Sequence, residues 1–525
     1  MIMRNTFLRL GALLFLVLMG CEKAAADSST PAPGSLQETI TKVHWQGKRR
    51  LGVEASAYYL MRIWDLPDSK RLEAQTLNKL SAAPASIPPA VAQSFSMVLR
   101  PLLSDALQEE CYLALRHPAD RPTEIAFAIR LSSYQDGFWE TNLAVLAESI
   151  TGTPAVPISG SRRGWVIKRG NPPNLIEMFR DGDWTFIGVA QDQNSLLQET
   201  VAEARRSKNP FCLEPGADNW LEAQGNLQPI ANALNLGSIS PTNSPRYSVA
   251  VNGDGGNVLV HGDLVFPHAF QAANAPWDVP TNLIRGRLTS FTAARGIQPL
   301  IASSKSWTDL SAFLGNLAPP PDQLYFWSQA RGQFQTFFAV PAADASQRVN
   351  DLTEKLMNKA NPWLNSRGYV GFERRPGSNG FTWGNLAMGK PFLMADKVDG
   401  FVLGGLSEGS LETNSAMDPA PLQHLSGQTN LVLYDWEMTG TRVEPWLYLS
   451  QVTRNILHRP SLSMESAGLV WLGTIKLRLG ETDTQIAQTG TNRLSFTRKS
   501  TLGLTAPELH LFVDWLESPQ FPTGL

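Results

Sequence analysis

The sequence predicts an α+β protein: two tandem, weakly similar domains of antiparallel sheet with packed helices, preceded by a short helical region. Three observations predict it. Between residues 37 and 110, apolar residues recur at helical spacing. From Cys111 onward, short β-rich runs alternate with Gly, Asn and Asp turns and with single helices. Several features of that second stretch then recur 211 to 216 residues later. A chain of 525 residues has room for two or three domains, and 43% hydrophobic residues supply a large core.

The chain opens with Arg4 and Arg9 ahead of an apolar run from Leu10 to Met19, followed by Gly20 and Cys21. A charged start, a short apolar run and a small residue make residues 1–20 an export signal. The run is about half the roughly 20 residues that a spanning helix needs, so a permanent membrane helix is not expected. Residues 21–36 are small, polar and Pro-containing, the composition of a flexible tether. Residues 37–110 then read as mainly helical. "VEASAYYLMRIW" and "RLEAQTLNKL" are separated at Leu66-Pro67-Asp68, and Val91, Phe95, Val98 and Leu102 share one face of a third helix.

The first α+β domain is expected at 111–316 and the second at 322–525, with Pro319 to Pro321 as a stiff connector. Phe186-Ile187 and Ser195-Leu196 recur as Phe401-Val402 and Ser410-Leu411; Trp220 and Pro229 recur as Trp436 and Pro445; Phe127 recurs as Phe338. Each tryptophan is followed by a candidate hairpin. The first is "YSVAVNGDGGNVLVHGDLVF"; in the second, Ile475, Leu477 and Leu479 alternate with Lys476 and Arg478 as in a half-buried strand. Near the end, Thr505 and Glu508 form a capping box with Pro507 in the first turn. Leu509, Phe512, Val513 and Leu516 make the apolar face of that helix, and His510 is assigned to its solvent side.

Removing residues 1–20 takes away two arginines and no acid, moving the formal net charge from −2 to −4. That balance gives no electrostatic case for nucleic acid, and clusters such as Lys48-Arg49-Arg50 read as solvated faces. Of three cysteines, Cys21 directly follows the export signal and opens the tether. Cys111 and Cys212 either close a disulfide in an oxidising compartment or are two buried thiols, and neither has a C-x-x-C partner.

Gly405-Leu406-Ser407-Glu408-Gly409 fits the nucleophile-elbow pattern of serine hydrolases, with Asp435 or Asp483 and then His510 as partners in chain order. Against catalysis at Ser407, Pro419 and Pro421 interrupt the helix expected behind it. The surrounding hairpins also imply antiparallel rather than parallel pairing. A strand ending in a Gly-rich turn, with Ser410 capping the next helix as Ser195 does in the first copy, explains the stretch more simply. His261 and Asp263 would share one strand face, but Pro267 separates His268 from that strand and a third close metal ligand is missing; Asn252 to Asn257 is better read as a glycine-rich hairpin turn than as a calcium loop. No metal or other cofactor is expected. Fifteen tryptophans leave room for an aromatic glycan or lipid groove, but Trp220 and Trp436 read as core.

Leu18-Met19-Gly20-Cys21 resembles the lipobox of bacterial lipoproteins. The resemblance implies that the Cys21 thiol receives a diacylglycerol and that an acylated, palmitate-type anchor holds the mature chain on a membrane. Glu22 after it, in place of the aspartate linked to inner-membrane retention, implies sorting to the outer membrane, facing the periplasm. "PTNLIRGRLTSFTAARGIQP" and "TAPELHLFVDWLESPQFP" resemble segments of large exported lipoproteins that carry no assigned activity, and bring no functional residues to carry over. The sequence therefore points to a non-enzymatic, lipid-anchored envelope protein that binds a lipid, glycan or protein partner in the periplasm. A serine hydrolase using Ser407 and a scaffold of an outer-membrane assembly are the alternatives.

Overall fold

A computed structural model describes residues 39–82, 89–117, 122–159, 162–170, 173–206, 210–214, 218–227, 245–270, 275–302, 305–314, 319–329, 335–366, 368, 370–374, 380–383, 391–396, 400–406, 420–456, 463, 465–519 and 521–522. The fold is α+β, and the chain divides into two units. The first comprises residues 1–268, 454–478 and 501–525; the second comprises residues 269–453 and 479–500.

The strands of the first unit are β1 (Thr39–Trp45), β2 (Cys111–His117), β3 (Glu124–Arg130), β4 (Val156–Pro157), β5 (Gly164–Arg169), β6 (Asn174–Asp181), β7 (Trp184–Gln191), β8 (Leu221–Asn226), β9 (Arg246–Gly253) and β10 (Val258–Val265). They pair antiparallel in the order β4-β5-β6-β7-β3-β2-β1-β8-β9-β10. The second unit contributes β11 (Leu288–Arg295), β12 (Gln323–Gln329), β13 (Thr336–Pro341), β14 (Phe372–Arg374), β15 (Phe381–Trp383), β16 (Phe392–Asp396), β17 (Phe401–Gly405), β18 (Leu431–Met438), β19 (Glu481–Gln488) and β20 (Arg493–Ser500). Their order is β14-β15-β16-β17-β13-β12-β11-β18-β19-β20, again all antiparallel. Adding ten to each strand label of the first unit reproduces the second.

Register refines the repeat seen in the sequence. Arg130 of β3 lies opposite Trp184, and Pro341 of β13 lies opposite Phe401. With Phe127 matched to Phe338, Phe401 therefore corresponds to Trp184 and not to Phe186. The slip is two residues, which keeps the same side chains on the same face. Trp220 immediately precedes β8 and its N–H donates to Val251 O (2.7 Å), whereas Trp436 lies within β18. Trp220 is fully buried and Trp436 packs at the edge of its unit's core.

Two expected elements need correction. The stretch from residue 37 does not begin as helix: Thr39–Trp45 is a strand between β2 and β8. "TITKVHW" is rich in β-branched residues, and Val43 and His44 bury on opposite faces, so strand wins. Nor is Ile475 to Leu479 a strand. Ala467–Ile475 is helical, Lys476–Arg478 is a 3-10 turn with Leu477 exposed, and the hairpin begins at Glu481. Ser466 caps that helix through Leu469 N (3.3 Å). Leu469, Leu472 and Ile475 bury at helical spacing, so a short period-2 alternation loses to a longer helical one.

Helices α1 (Tyr58–Trp64), α2 (Pro67–Ala82) and α3 (Pro89–Gln108) lie between β1 and β2 in the chain, and α4 (Ser133–Thr151) follows β3. Phe95, Leu99 and Leu102 of α3 and Trp139 and Leu146 of α4 cover one face of the first sheet, over Val43, Leu113, Phe127, Ile187 and Ala223. The other face carries Tyr112, Ala114, Ala126, Ala128 and Phe186 beneath Leu196, Leu197 and Val201 of α5 (Ser195–Arg206) and beneath Phe211. Asn194, not Ser195, caps α5: its Oδ1 accepts Leu197 N (2.9 Å), while Ser195 Oγ donates to Glu124 (2.9 Å).

The second unit adds α6 (Lys305–Leu314), α7 (Ala345–Lys355) and α8 (Thr439–Ile456). Returning to the first unit, α9 (Ala467–Ile475) and α10 (Ala506–Glu517) cover α2. Trp471 Nε1 donates to Ser69 Oγ (3.0 Å) and Gln75 Nε2 to Glu517 Oε2 (2.9 Å). A Cβ at Gly468 would come within 2.6 Å of Val513, so only glycine allows α9 and α10 to approach so closely. The capping box at Thr505 and Glu508 forms as read. His510, assigned above to solvent, is buried, because α10 is buried on more than its Leu509 side.

In the second unit one face of the sheet packs Phe291, Tyr325, Trp327, Phe337, Leu403 and Tyr434 into an apolar core. Buried Arg295 secures its edge. Its guanidinium stacks over Trp277 (4.5 Å) and donates to the carbonyls of Ala275 (2.7 Å), Gln428 (3.0 Å), Thr429 (2.7 Å) and Leu431 (2.7 Å). Desolvation lowers its pKa, and the carbonyl dipoles take the place of a carboxylate partner.

Candidate functional site

The candidate site lies in the second unit, where β12, β13, β17, β16 and β15 run side by side. Cross-strand pairing lines up Phe326, Phe338, Gly404, Leu393 and Phe381 on these five strands. A side chain at Gly404 would collide with the Phe338 ring, which lies across that position. A Cβ at Gly405 would sit 2.9 Å from Phe337 and 3.1 Å from Phe392. The two glycines of "FVLGGL" thus let aromatic rings from both faces close around the strand end.

The result is an apolar cleft of about 330 Å³ walled by Phe326, Phe337, Phe338, Phe381, Phe392 and Leu406. Thr336 also borders it. Small-molecule sites have this make-up, with mostly apolar walls and a few placed polar groups.

The polar group is connected. Thr336 Oγ1 lies 3.0 Å from Ser328 Oγ, and Arg442 Nη1 of α8 donates to that same Ser328 oxygen. Arg442 Nε is 3.9 Å from Glu437, beyond hydrogen-bond range, and has no hydrogen-bond partner among the described residues. Desolvation lowers the Arg442 pKa, partly offset by Glu437 and Asp435. Thr336, Ser328, Ser290, Glu437 and Thr482 form one polar row across five strands, on the same face as Phe326 and Phe338.

A second polar cluster is buried in the first unit. His44 of β1 places Nε2 3.0 Å from Glu110 and Nδ1 3.6 Å from Glu222, its cross-strand neighbour on β8. Glu222 also accepts Leu213 N (2.7 Å), Glu214 N (3.3 Å) and Asn219 Nδ2 (2.8 Å). Burial would lower the His44 pKa, but Glu110 and Glu222 outweigh it and raise it. Burial would raise that of Glu222, yet His44, Asn219 and the Leu213 N–H bring it down to about 2. Every strong acceptor here has a structural partner, so the cluster reads as a buried ionic clamp.

Cys212 Sγ sits 3.8 Å from Glu222, and burial and that carboxylate push the thiol pKa up, the opposite of an activated nucleophile. Cys111 is buried with its pKa raised to about 12. Both are free thiols, so the disulfide weighed for Cys111 and Cys212 does not form: Cys111 Sγ turns toward Ala106 O (3.8 Å) while Cys212 Sγ turns toward Glu214 O (3.0 Å).

Cys21 and Ser407 lie outside the described residues. Asp435 accepts from Thr292 and Asp483 from Gln485 Nε2 (3.0 Å). His261 pairs with Glu214 (3.7 Å), and no group of three metal-ligating side chains occurs among the described residues. Asp254 Oδ1 closes the 252–257 turn on Gly256 N (3.0 Å) and Asn257 N (2.7 Å). Sequence reading missed the cleft phenylalanines, Arg442 and the His44 clamp. The signal for the first was adjacent aromatics, Tyr325-Phe326-Trp327 and Phe337-Phe338, which send rings to both faces of a strand.

No protein-family profile matches the chain, and no curated protein matches it. A solved structure, crystal form I of TP0453, is similar over 47% of this chain and 100% of its own, at 10% identity and a TM-score of 0.23. At that level the likeness carries no argument about function.

Proposed function

We propose that the protein is a non-enzymatic, lipid-anchored protein of the cell envelope. It is held through Cys21 on the outer membrane facing the periplasm and binds an apolar small molecule in the cleft of the second unit. The single observation that carries ligand binding is the phenylalanine-walled apolar cleft. The anchor rests on the export signal, the lipobox and the tether. At about 0.8 kcal/mol per buried CH2, several acyl chains hold such a chain stably on a bilayer.

Three measurements test the reading. Metabolic labelling with palmitate should mark the wild type and not Cys21→Ala; equal labelling of both removes the anchor. Native mass spectrometry of the chain from residue 22 onward, purified from its own envelope, should show a discrete added mass that is lost in Leu406→Trp, which fills the cleft. A bare mass in both proteins favours the scaffold reading. Fluorophosphonate labelling that disappears in Ser407→Ala would make the protein a hydrolase.

A further inference from the structure

Resting on the lipid anchor of the proposed function, we infer that helix α4 of the first unit docks on the bilayer that holds the anchor, lying at the headgroup boundary of neutral phospholipids with its outer face toward the acyl chains. Two observations carry this, the uncharged outer face of α4 and its closeness to the anchor along the chain.

The inner face of α4 buries Trp139, Leu146 and Ala147 against the sheet. A helix with one buried face ordinarily turns charges to solvent, and α5 does so with Gln198, Glu199, Arg205 and Arg206. The outer face of α4 does not. Tyr134, Phe138, Thr141, Val145 and Ser149 follow one another at steps of three and four residues, the spacing of one helical face, and all are exposed. Tyr134 is 87% exposed, Phe138 41% and Val145 46%. The two hydroxyls bond back to the helix itself: Thr141 Oγ1 donates to Gly137 O (3.1 Å) and Ser149 Oγ to Val145 O (2.7 Å). Of the acids of α4, Asp136 is buried, Glu140 pairs with Arg163 on the flank and Glu148 accepts Ala155 N (2.7 Å). Ile150 in the last turn and Val156 of β4 continue the exposed apolar surface beyond the helix end.

The size of the face separates a bilayer from a protein. A helix of 19 residues offers a strip about 28 Å long and about 10 Å wide, on the order of 300 Å². A standard protein interface buries about 800 Å² on each partner, so a second copy of the chain gains too little from this strip. A tethered protein needs less from a bilayer, because the anchor supplies the local concentration. Thr39, the first residue of β1, follows Cys21 by 18 residues, and a chain of that length spans at most about 60 Å. The first unit contains both β1 and α4, so an anchored chain keeps α4 near the membrane. Among the described residues no helix is long and apolar enough to cross a membrane, and the inner face of α4 is committed to the sheet, so α4 lies on the bilayer. With its flank charges satisfied, the attraction is apolar and insensitive to salt.

The test is flotation of the chain from residue 22 onward, which contains every described residue and no acyl group, with vesicles of dioleoylphosphatidylcholine. Docking is thereby read apart from the anchor. The wild type should float, and Tyr134→Ser, Phe138→Ser and Val145→Ser combined should weaken partitioning by about ten-fold or more, with far-UV circular dichroism unchanged. Tyr134→Ser alone, at the most exposed of the three side chains, should weaken it about three-fold. Raising salt from about 0.05 M to about 0.5 M should change wild-type partitioning by less than about two-fold. No flotation of the wild type, or flotation that the triple change leaves intact, overturns the docking face. Flotation lost at high salt overturns the apolar contact in favour of an electrostatic one. A dimer in sedimentation velocity that the triple change dissolves overturns the bilayer in favour of a second copy. Palmitate labelling decides the anchor separately: flotation without labelling at Cys21 keeps the docking face and removes the anchor, and labelling without flotation does the reverse.

Discussion

The two units share one strand order and fill it with opposite chemistry. In the first, the face under α3 and α4 carries Ile125, Leu115 and Thr41 in one row and Phe127, Leu113, Val43 and Ala223 in the next. Following the same pairings through the second unit, those positions become Thr336, Ser328 and Ser290, then Phe338, Phe326, Thr292 and Asp435. The other face shows the reverse. His44 and Glu222 of the first unit are a cross-strand pair where the second has Ala293 and Tyr434, both in its apolar core. Backbone pairing is indifferent to which face is apolar, so a duplicated sheet keeps its ladders while each copy chooses a face to bury dry. The phenylalanine-walled cleft belongs to the copy whose Phe326 and Phe338 face is aromatic and polar.

Writing the second unit's chemistry into the first should therefore be severe. Leu115→Ser leaves a cavity and a buried hydroxyl at a position covered by apolar side chains, and should cost about 4 kcal/mol. Urea unfolding, followed by amide hydrogen exchange in β1, β2 and β3, measures it; a loss under 1 kcal/mol would mean that the face tolerates either chemistry. On the opposite face, Glu222→Leu takes one of two carboxylates from His44 and the acceptor from Leu213 N, Glu214 N and Asn219 Nδ2, and should cost about 3 kcal/mol. Adding His44→Ala, which moves the pair toward that of the second unit, should cost less than the sum of the two single changes.

How much of this was legible follows from sequence separation. The α+β class, the β9/β10 hairpin with its Asp254 turn and the Thr505 capping box are local, and the sequence carries them openly. Strand β1 was hidden because its core position shows only once β2 and β8 flank it. The cleft and the clamp are assembled by register: Phe326 and Phe338 pair on adjacent strands, Phe381 lies in the same row three strands beyond Phe338, and His44 meets Glu110 and Glu222 from distant segments. No short-range periodicity encodes such meetings.

The clamp also sets a pH dependence that the second unit lacks at the same positions. His44 has a pKa raised above its ordinary 6.5. Its contribution is fully present below pH 6.5 and is lost as pH rises through the raised value. Glu110 and Glu222 lie below their ordinary 4.5. Their contribution is present above that pH and is lost as pH falls, toward about 2 for Glu222. The first unit should be most stable between about pH 4.5 and 6.5. Hydrogen exchange of β1 and β8 should show protection declining from pH 6 to 8 after correction for intrinsic rates, and His44→Gln should remove that decline. A decline that persists in the variant assigns it to another group.

The smallest effect is the most discriminating. Thr336→Ile places the first unit's residue at the mouth of the cleft, where Ile125 stands in β3. If the second unit's polar row were a structural device like the His44 clamp, removing this hydroxyl would strand Ser328 and Arg442 and cost several kcal/mol. Thr336 is only partly buried and ends the polar row, and Ser328 retains Arg442 as donor, so the expected change in stability is within about 1 kcal/mol. Unfolding midpoints of wild type and variant decide between the two. A near-neutral change in stability shows that the Thr336 hydroxyl is not what holds the sheet together, unlike the carboxylates around His44.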